Sequence, residues 1–173
     1  NPSGQLMDED DIHRLLEWCS DNRVNLILDE SFLDFADVQD MSLMSEDILG
    51  KYQNLYIVKS ISKSYGIPGL RLGILASGNR KIIADIKKDV SIWNINSMAE
   101  FFMQILDKYK SDYRLSLDKL KSERARFYNE MSKLPNLKVY PSQANYFMCE
   151  LLNGYESKKV AAELLEDNIL IKD

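Results

Sequence analysis

Hydrophobic residues recur in two different patterns along the first half of the chain. An acidic turn is followed by apolar side chains at helical spacing, which predicts a helix over residues 7–19. Short, continuously apolar runs are typical of strands buried on both faces of a parallel sheet, and they cover residues 24–28, 55–58 and 70–76. A further helix is predicted over residues 80–90. This order of helices and strands predicts an α/β layer.

The pattern changes in the second half of the chain. An apolar helix is predicted over residues 97–108 with Ser97 as its N-cap, and a longer helix is predicted over residues 112–134. Arg124 is the one polar member of the apolar stripe on this longer helix. The remaining patterns predict strands over residues 137–140, 145–151 and 169–171 and a helix over residues 157–167. We therefore expect a small α+β unit after the long helix.

Composition narrows the classes of partner. The 22 Lys and Arg residues are mixed with 27 Asp and Glu residues along the 173-residue chain, and the net charge of −5 argues against nucleic acid or an anionic membrane. Cys19 and Cys149 are too few and too far apart for a disulfide framework or a zinc site, so we expect a reducing, cytoplasmic environment. No apolar run approaches the roughly 20 residues that span a bilayer, and no signal-peptide pattern is present.

The densest group of chemically useful side chains follows the second predicted strand. Residues 60–73 place Ser60, Ser62, Lys63 and Arg71 in one short turn, with two glycines and a proline between the lysine and the arginine. Hydroxyls and a guanidinium suit a phosphate, whereas a lysine amine suits an aldehyde. Pyridoxal 5′-phosphate (PLP) is the commonest ligand that carries both groups. The segment therefore indicates a PLP site with Lys63 as the attachment point.

Four motifs occur in a fixed order along the chain: N-P-x-G from Asn1, D-E from Asp29, S-x-S-K ending at Lys63, and R-x-G from Arg71. In this order they resemble the PLP-dependent aminotransferases of the aspartate aminotransferase fold (fold type I, class I/II). The resemblance implies that residues 1–96 are the C-terminal part of a large PLP-binding domain with a mainly parallel sheet. Residues 97–173 would then be long linking helices and a small α+β domain.

The resemblance also assigns roles to individual residues. Lys63 would form the Schiff base with PLP and then act as a general acid or base. Asp29 would pair with the pyridine nitrogen, and Asn1 would donate a hydrogen bond to the oxygen on the cofactor ring. The phosphate would be held by Ser60, Ser62 and Arg71.

Three further segments resemble the branch that contains histidinol-phosphate aminotransferase and threonine-phosphate decarboxylase, namely residues 67–73, 93–96 and 141–146. In that branch the last two segments line the substrate side, so Asn94 and Asn145 are substrate-side candidates. Most aminotransferases of the branch have a tyrosine three residues after the aspartate. This chain has Phe32 at that position, and in this respect it resembles the decarboxylases of the branch. Because the hydrogen bond from the tyrosine hydroxyl is missing, we expect the imine between Lys63 and PLP to have a higher pKa than in the enzymes with tyrosine.

The expected function is amino transfer to or from an amino acid or a phosphorylated amine, by a homodimer. Decarboxylation remains an alternative because the arginine that chooses between the two reactions in the family lies beyond residue 173. The chain begins at Asn1 and stops just after a predicted strand, so we expect it to be truncated at both ends. A non-catalytic fragment or structural domain of a larger PLP enzyme is therefore an alternative of another class, as is a generic α/β binding domain.

Overall fold

The computed structural model describes residues 3–38 and 40–172 and shows a mixed α/β architecture. The described strands are β1 (Leu26–Asp29), β2 (Leu55–Ser60), β3 (Gly73–Ala76), β4 (Leu137–Val139) and β5 (Cys149–Leu151). The described α-helices are α1 (Glu9–Asp21), α2 (Glu46–Lys51), α3 (Ile61–Ser64), α4 (Arg80–Asp89), α5 (Ser97–Ile105), α6 (Lys110–Met131) and α7 (Ser157–Glu166). Of these, the sequence patterns did not predict α2 or α3.

The first three strands form one sheet in the order β1-β2-β3. β1 and β2 are parallel, with Asp29 opposite Val58, which confirms the predicted parallel pair. The prediction that the run at residues 70–76 forms a further parallel strand is wrong, because β3 runs antiparallel to β2, with Gly73 opposite Ser60. The reversal arises because the chain returns through the short turn at residues 61–72, whereas a parallel neighbour needs a longer crossover.

The core lies where α1 packs on one face of this sheet. Leu16 on α1 and Leu55 and Ile57 on β2 are fully buried in one cluster, and the β1 side chains at 26 and 28 pack against it. The prediction that β1 is buried on both faces is wrong, because Ile27 between them is 69% exposed. Within the described residues β1 pairs with β2 alone, so its side chains alternate between a covered and an open face.

The second half contains the long helix α6 and the β4–β5 pair, which is antiparallel with Leu137 opposite Leu151. The N-cap of α5 is Asn96 rather than Ser97, because the Asn96 carboxamide oxygen accepts a hydrogen bond from the Ala99 amide at 2.9 Å. The strand predicted at residues 169–171 is not present, and its central residue, Leu170, is 83% exposed. An apolar run forms a strand only when a neighbouring strand is available, and none of the described strands pairs with this one. None of the described helices is long and apolar enough to cross a bilayer.

Candidate active site

The ends of β1 and β2 meet at one edge of the sheet because the two strands are parallel and in register. Backbone-to-side-chain hydrogen bonds connect the two strand ends. The Ser31 amide donates to Asp29 Oδ1, and the Ser60 amide donates to Ser31 Oγ, both at 2.9 Å. Asp29 and Ser60 are therefore joined through Ser31, a residue that the motifs did not identify. The feature of the sequence that could have indicated Ser31 is its hydroxyl, two residues after the aspartate at the end of the strand.

A cavity of about 490 Å³ opens beside this edge. Three hydroxyls and one guanidinium contribute to its lining, and they belong to Ser31, Ser60, Ser62 and Arg71. Ser62 is buried, with its hydroxyl donating a long hydrogen bond of 3.4 Å to the Leu72 carbonyl. Neutral hydroxyls beside a guanidinium are the donors that bind a phosphate dianion well. Ser60, Ser62 and Arg71 thus line one cavity, and the prediction that they bind a phosphate stays a prediction.

Arg71 has an unusual backbone conformation. Its φ of 55° lies in the left-handed region, immediately after the tight turn at Pro68–Leu70. That region costs a residue with a side chain on the order of 1 kcal/mol. The Arg71 side chain is exposed, and within residues 3–38 and 40–172 its guanidinium makes one long hydrogen bond, of 3.4 Å, to the Pro68 carbonyl.

Lys63 lies in α3 and is exposed. Its Nζ is 4.0 Å from the centroid of the Phe32 ring, a cation–π distance. The Phe32 ring in turn packs edge-on against Tyr146, with 5.4 Å between the ring centroids. Phe32 belongs to the segment after β1 and Tyr146 to the segment before β5. The lysine amine therefore lies beside an aromatic wall that both halves of the chain build.

A half-buried ion pair lies close to the Lys63 turn. Lys59 Nζ is 2.6 Å from Asp34 Oδ1, and the Tyr113 hydroxyl donates to Asp34 Oδ2 at 2.9 Å. The Tyr113 ring stacks on Tyr65, two residues after Lys63, with centroids 3.9 Å apart. No sequence motif indicated this group, because its members come from four different elements. Burial raises the pKa of Tyr113 well above its ordinary value, and the Asp34 carboxylate raises it further.

The raised pKa of Tyr113 predicts a loss of stability in alkali. The unfolded chain releases the Tyr113 hydroxyl proton at about pH 10, whereas the folded protein retains it to higher pH. The stability that comes from this difference is fully present below about pH 10 and is lost as the pH rises through the pKa of Tyr113 in the folded protein. We expect the free energy of unfolding, measured with urea, to fall above about pH 10, and to fall less steeply in Tyr113→Phe. Parallel pH profiles for the two proteins would contradict this.

The other predicted residues occupy different positions. Asn94 is exposed in the turn before α5, and that turn is fixed to the Pro68–Leu70 turn because Asn96 Nδ2 donates to the Leu70 carbonyl at 2.9 Å. Asn145 is exposed beside Tyr146. Asn1 lies outside the described residues.

The chain belongs to the family described as aminotransferase class I and II, whose model matches residues 1–173. Members of this family depend on pyridoxal 5′-phosphate. The residues described above fit that cofactor chemically, because they offer a lysine amine after β2, a carboxylate at the end of β1, and hydroxyls and a guanidinium at the cavity.

Individual relatives are similar over almost the whole chain. The histidinol-phosphate aminotransferase of Ruminiclostridium cellulolyticum is 29% identical over 99% of this chain and 45% of its own length. The threonine-phosphate decarboxylase of Salmonella typhimurium is 30% identical over 99% of this chain and 46% of its own length. The crystal structure of the histidinol-phosphate aminotransferase from Clostridium acetobutylicum superposes with a TM-score of 0.88, at 29% identity over 99% of this chain and 51% of that one. The chain thus spans about half the length of these relatives.

Proposed function

We propose that the polypeptide containing this chain is a PLP-dependent aminotransferase acting on an amino acid or a phosphorylated amine. The observation that supports this proposal is the arrangement after the parallel strands β1 and β2: Asp29 is joined to Ser60 through Ser31, and Lys63, three residues after Ser60, contacts Phe32, three residues after Asp29. Residues 1–96 would be part of the cofactor-binding domain, and residues 97–173 the linking helices and small domain.

Each residue then has a definite task. Bound at this edge, PLP supplies an electron-withdrawing ring that stabilises negative charge at the substrate Cα. Lys63 Nζ would bind the cofactor through its aldehyde. Once substrate displaces it, the free amine would remove the proton from the substrate Cα and deliver it to the carbon of the former aldehyde. The Asp29 carboxylate would keep a proton on the ring nitrogen. The phosphate would be bound by Ser60, Ser62 and Arg71, with Ser31 as a further hydroxyl in the same cavity.

Decarboxylation is the second candidate, and Phe32 favours it. The chain is 30% identical to the Salmonella threonine-phosphate decarboxylase and 32% identical to the L-serine phosphate decarboxylase of Sulfurospirillum multivorans. The reaction depends on which Cα bond stands perpendicular to the cofactor ring, since only that bond's electrons delocalise into it. The groups that bind the substrate carboxylate make this choice.

The two reactions are distinguished by their products. The complete natural polypeptide, loaded with PLP, is incubated with histidinol phosphate and a 2-oxo acid acceptor, and separately with threonine phosphate and serine phosphate. Amino transfer to the acceptor supports the first proposal, and release of carbon dioxide without an acceptor supports the second. If Lys63 carries no cofactor and neither product forms, the chain is a non-catalytic structural domain.

Phe32 gives a spectroscopic prediction. A tyrosine at this position would donate a hydrogen bond to the oxygen beside the lysine–cofactor bond and favour its ionised form. We therefore expect Phe32→Tyr to lower the midpoint of the pH-dependent change in visible absorbance of the PLP-loaded protein. Phe102→Tyr, a change of the same kind in the Tyr65 contact rather than beside Lys63, is the control. Identical midpoints for wild type and Phe32→Tyr would refute the assignment.

Exposed apolar side chains support a homodimer. Ile92 and Trp93 are 93% and 90% exposed in the turn before α5, and Met98 and Phe101 on α5 are 66% and 56% exposed. Such a group is typical of surfaces that another chain covers. We expect sedimentation of the complete polypeptide to show a dimer, which Trp93→Glu weakens. A monomeric wild type would contradict this proposal.

A further inference from the structure

The one buried side chain on α6 is charged. Arg124 is 8% exposed, whereas Phe127 and Leu134, members of the same predicted stripe, are 51% and 53% exposed. Burying a guanidinium is unfavourable unless its donors are satisfied, and well-packed apolar residues are often at least as stable in its place. Stability alone therefore gives a weak reason for an arginine at this position.

The acceptors of Arg124 lie outside its own helix. Nη1 donates to the Phe35 carbonyl at 2.7 Å and to the Ala144 carbonyl at 3.2 Å, and Nη2 donates to Asp37 Oδ1 at 2.7 Å. Two of these acceptors follow β1, and the third precedes β5. One planar guanidinium thus holds both segments at once, as the compact ammonium of a lysine does not.

Gln143 connects the same two segments a second time. Its Oε1 accepts from the Asp37 amide at 2.7 Å, and its Nε2 donates to Asp37 Oδ2 at 3.1 Å. The Gln143 amide also donates to the Gly4 carbonyl at 2.7 Å. A Cβ at Gly4, where φ is +73°, would lie 2.2 Å from Ser142 Oγ, so the chain there accepts only glycine at this close approach.

The two segments held in this way carry the aromatic wall beside Lys63. Phe32 lies three residues before Phe35, and the two rings have centroids 6.1 Å apart. Tyr146 lies two residues after Ala144 and packs on Phe32, whose ring lies 4.0 Å from Lys63 Nζ. Displacement of either segment therefore changes the surface that faces the lysine amine.

We propose that Arg124, Asp37 and Gln143, here called the Arg124 network, are positioning residues that fix residues 142–146 against the Lys63 site. Among the described residues, the hydrogen bonds of the network are made to neither Lys63 nor the residues of the phosphate cavity. It acts through Phe32 and Tyr146 and sets how well the substrate side of the site is ordered. This inference rests on the proposed function, since it assigns residues 142–146 to the substrate side.

The test compares three single variants of the complete, PLP-loaded polypeptide. Arg124→Lys keeps the positive charge but removes the planar guanidinium, whose two Nη atoms hold both segments. Asp37→Asn changes a side chain that is 60% exposed, so this variant is expected to fold even if the first does not. Arg126→Lys is the matched control, since Arg126 lies two residues away on the same helix, is 64% exposed, and binds only Glu123 among the described residues.

Three quantities are measured for each variant: the steady-state constants, the fraction of Lys63 labelled after borohydride reduction, and amide hydrogen exchange of residues 142–147. In Arg124→Lys we expect the KM for the amino substrate to rise by about 10- to 100-fold, with kcat and Lys63 labelling close to wild type. Exchange at residues 142–147 becomes faster. Asp37→Asn shows smaller changes in the same directions, and Arg126→Lys shows none.

The inference is overturned if exchange at residues 142–147 is unchanged in both network variants, or if it rises while KM stays at the wild-type value. It is also overturned if the network variants show reduced labelling of Lys63 while KM for the amino substrate stays at the wild-type value. The network would then support cofactor binding rather than substrate binding. Absence of turnover by the wild type would count against the proposed function, and the exchange rates would still decide whether the network orders this segment.

Discussion

Replacement of Lys63 by alanine is expected to lower kcat of the complete polypeptide by at least about 10³-fold, because the variant loses both the covalent attachment and the general acid–base group at the substrate Cα. The folded state should be little affected, since the Lys63 side chain is exposed and its amine contacts the face of the Phe32 ring. Circular dichroism and thermal unfolding should therefore resemble those of wild type.

Lys88→Ala is the matched control for this prediction. Lys88 is an exposed lysine on α4 whose Nζ lies 2.6 Å from Asp85 Oδ1. Exposed ion pairs of this kind contribute little to stability, and Lys88 is not among the residues that line the cavity. We expect wild-type kcat in Lys88→Ala. Equal losses in the two variants, or substantial turnover by Lys63→Ala, would remove Lys63 from the chemistry.

Replacement of Arg71 by alanine is expected to weaken PLP binding by about 10- to 100-fold, which corresponds to loss of charge-assisted hydrogen bonds to a phosphate. Pyridoxal, which lacks the phosphate, should bind the variant and wild type equally well. Arg71→Lys should fall between them, because an ammonium cannot match the guanidinium fork. Alanine at φ 55° bears the same left-handed strain as arginine, so the comparison reports the side chain and not the backbone.

The measurement is a titration of the apo-protein with each cofactor form, followed by absorbance. Equal weakening of PLP and pyridoxal would show that Arg71 supports the turn and does not bind the phosphate. In that case the phosphate would have to be bound by the hydroxyls of Ser31, Ser60 and Ser62 alone.

The sequence was most informative where short-range chemistry decides the structure. The apolar run before Asp29 and the run before Ser60 both predicted strands, and parallel pairing then required their carboxyl ends to meet. The turn from Lys63 to Arg71 was marked by its glycines and proline. Its hydroxyls and guanidinium line one cavity, and their binding of a phosphate stays a prediction.

The sequence was less informative where distant segments decide the outcome. A continuous apolar run does not indicate which elements cover the two faces of a strand, so the exposure of Ile27 on β1 was not predicted. Asn96 and Ser97 are both good N-caps, and local preference could not choose between them. Arg124 stood out as a polar residue in an apolar stripe, but its partners at Phe35, Asp37 and Ala144 are at least 20 residues away in sequence.

We expect one amine of this chain to form the covalent bond to PLP, and borohydride reduction followed by peptide mapping tests this directly. Lys59 provides an internal comparison, because it is the lysine among the lining residues of the cavity but is paired with Asp34. We expect a single reduced pyridoxyl group on Lys63 of the complete polypeptide, absent in Lys63→Ala. A label on Lys59, or one that persists in Lys63→Ala, would contradict it.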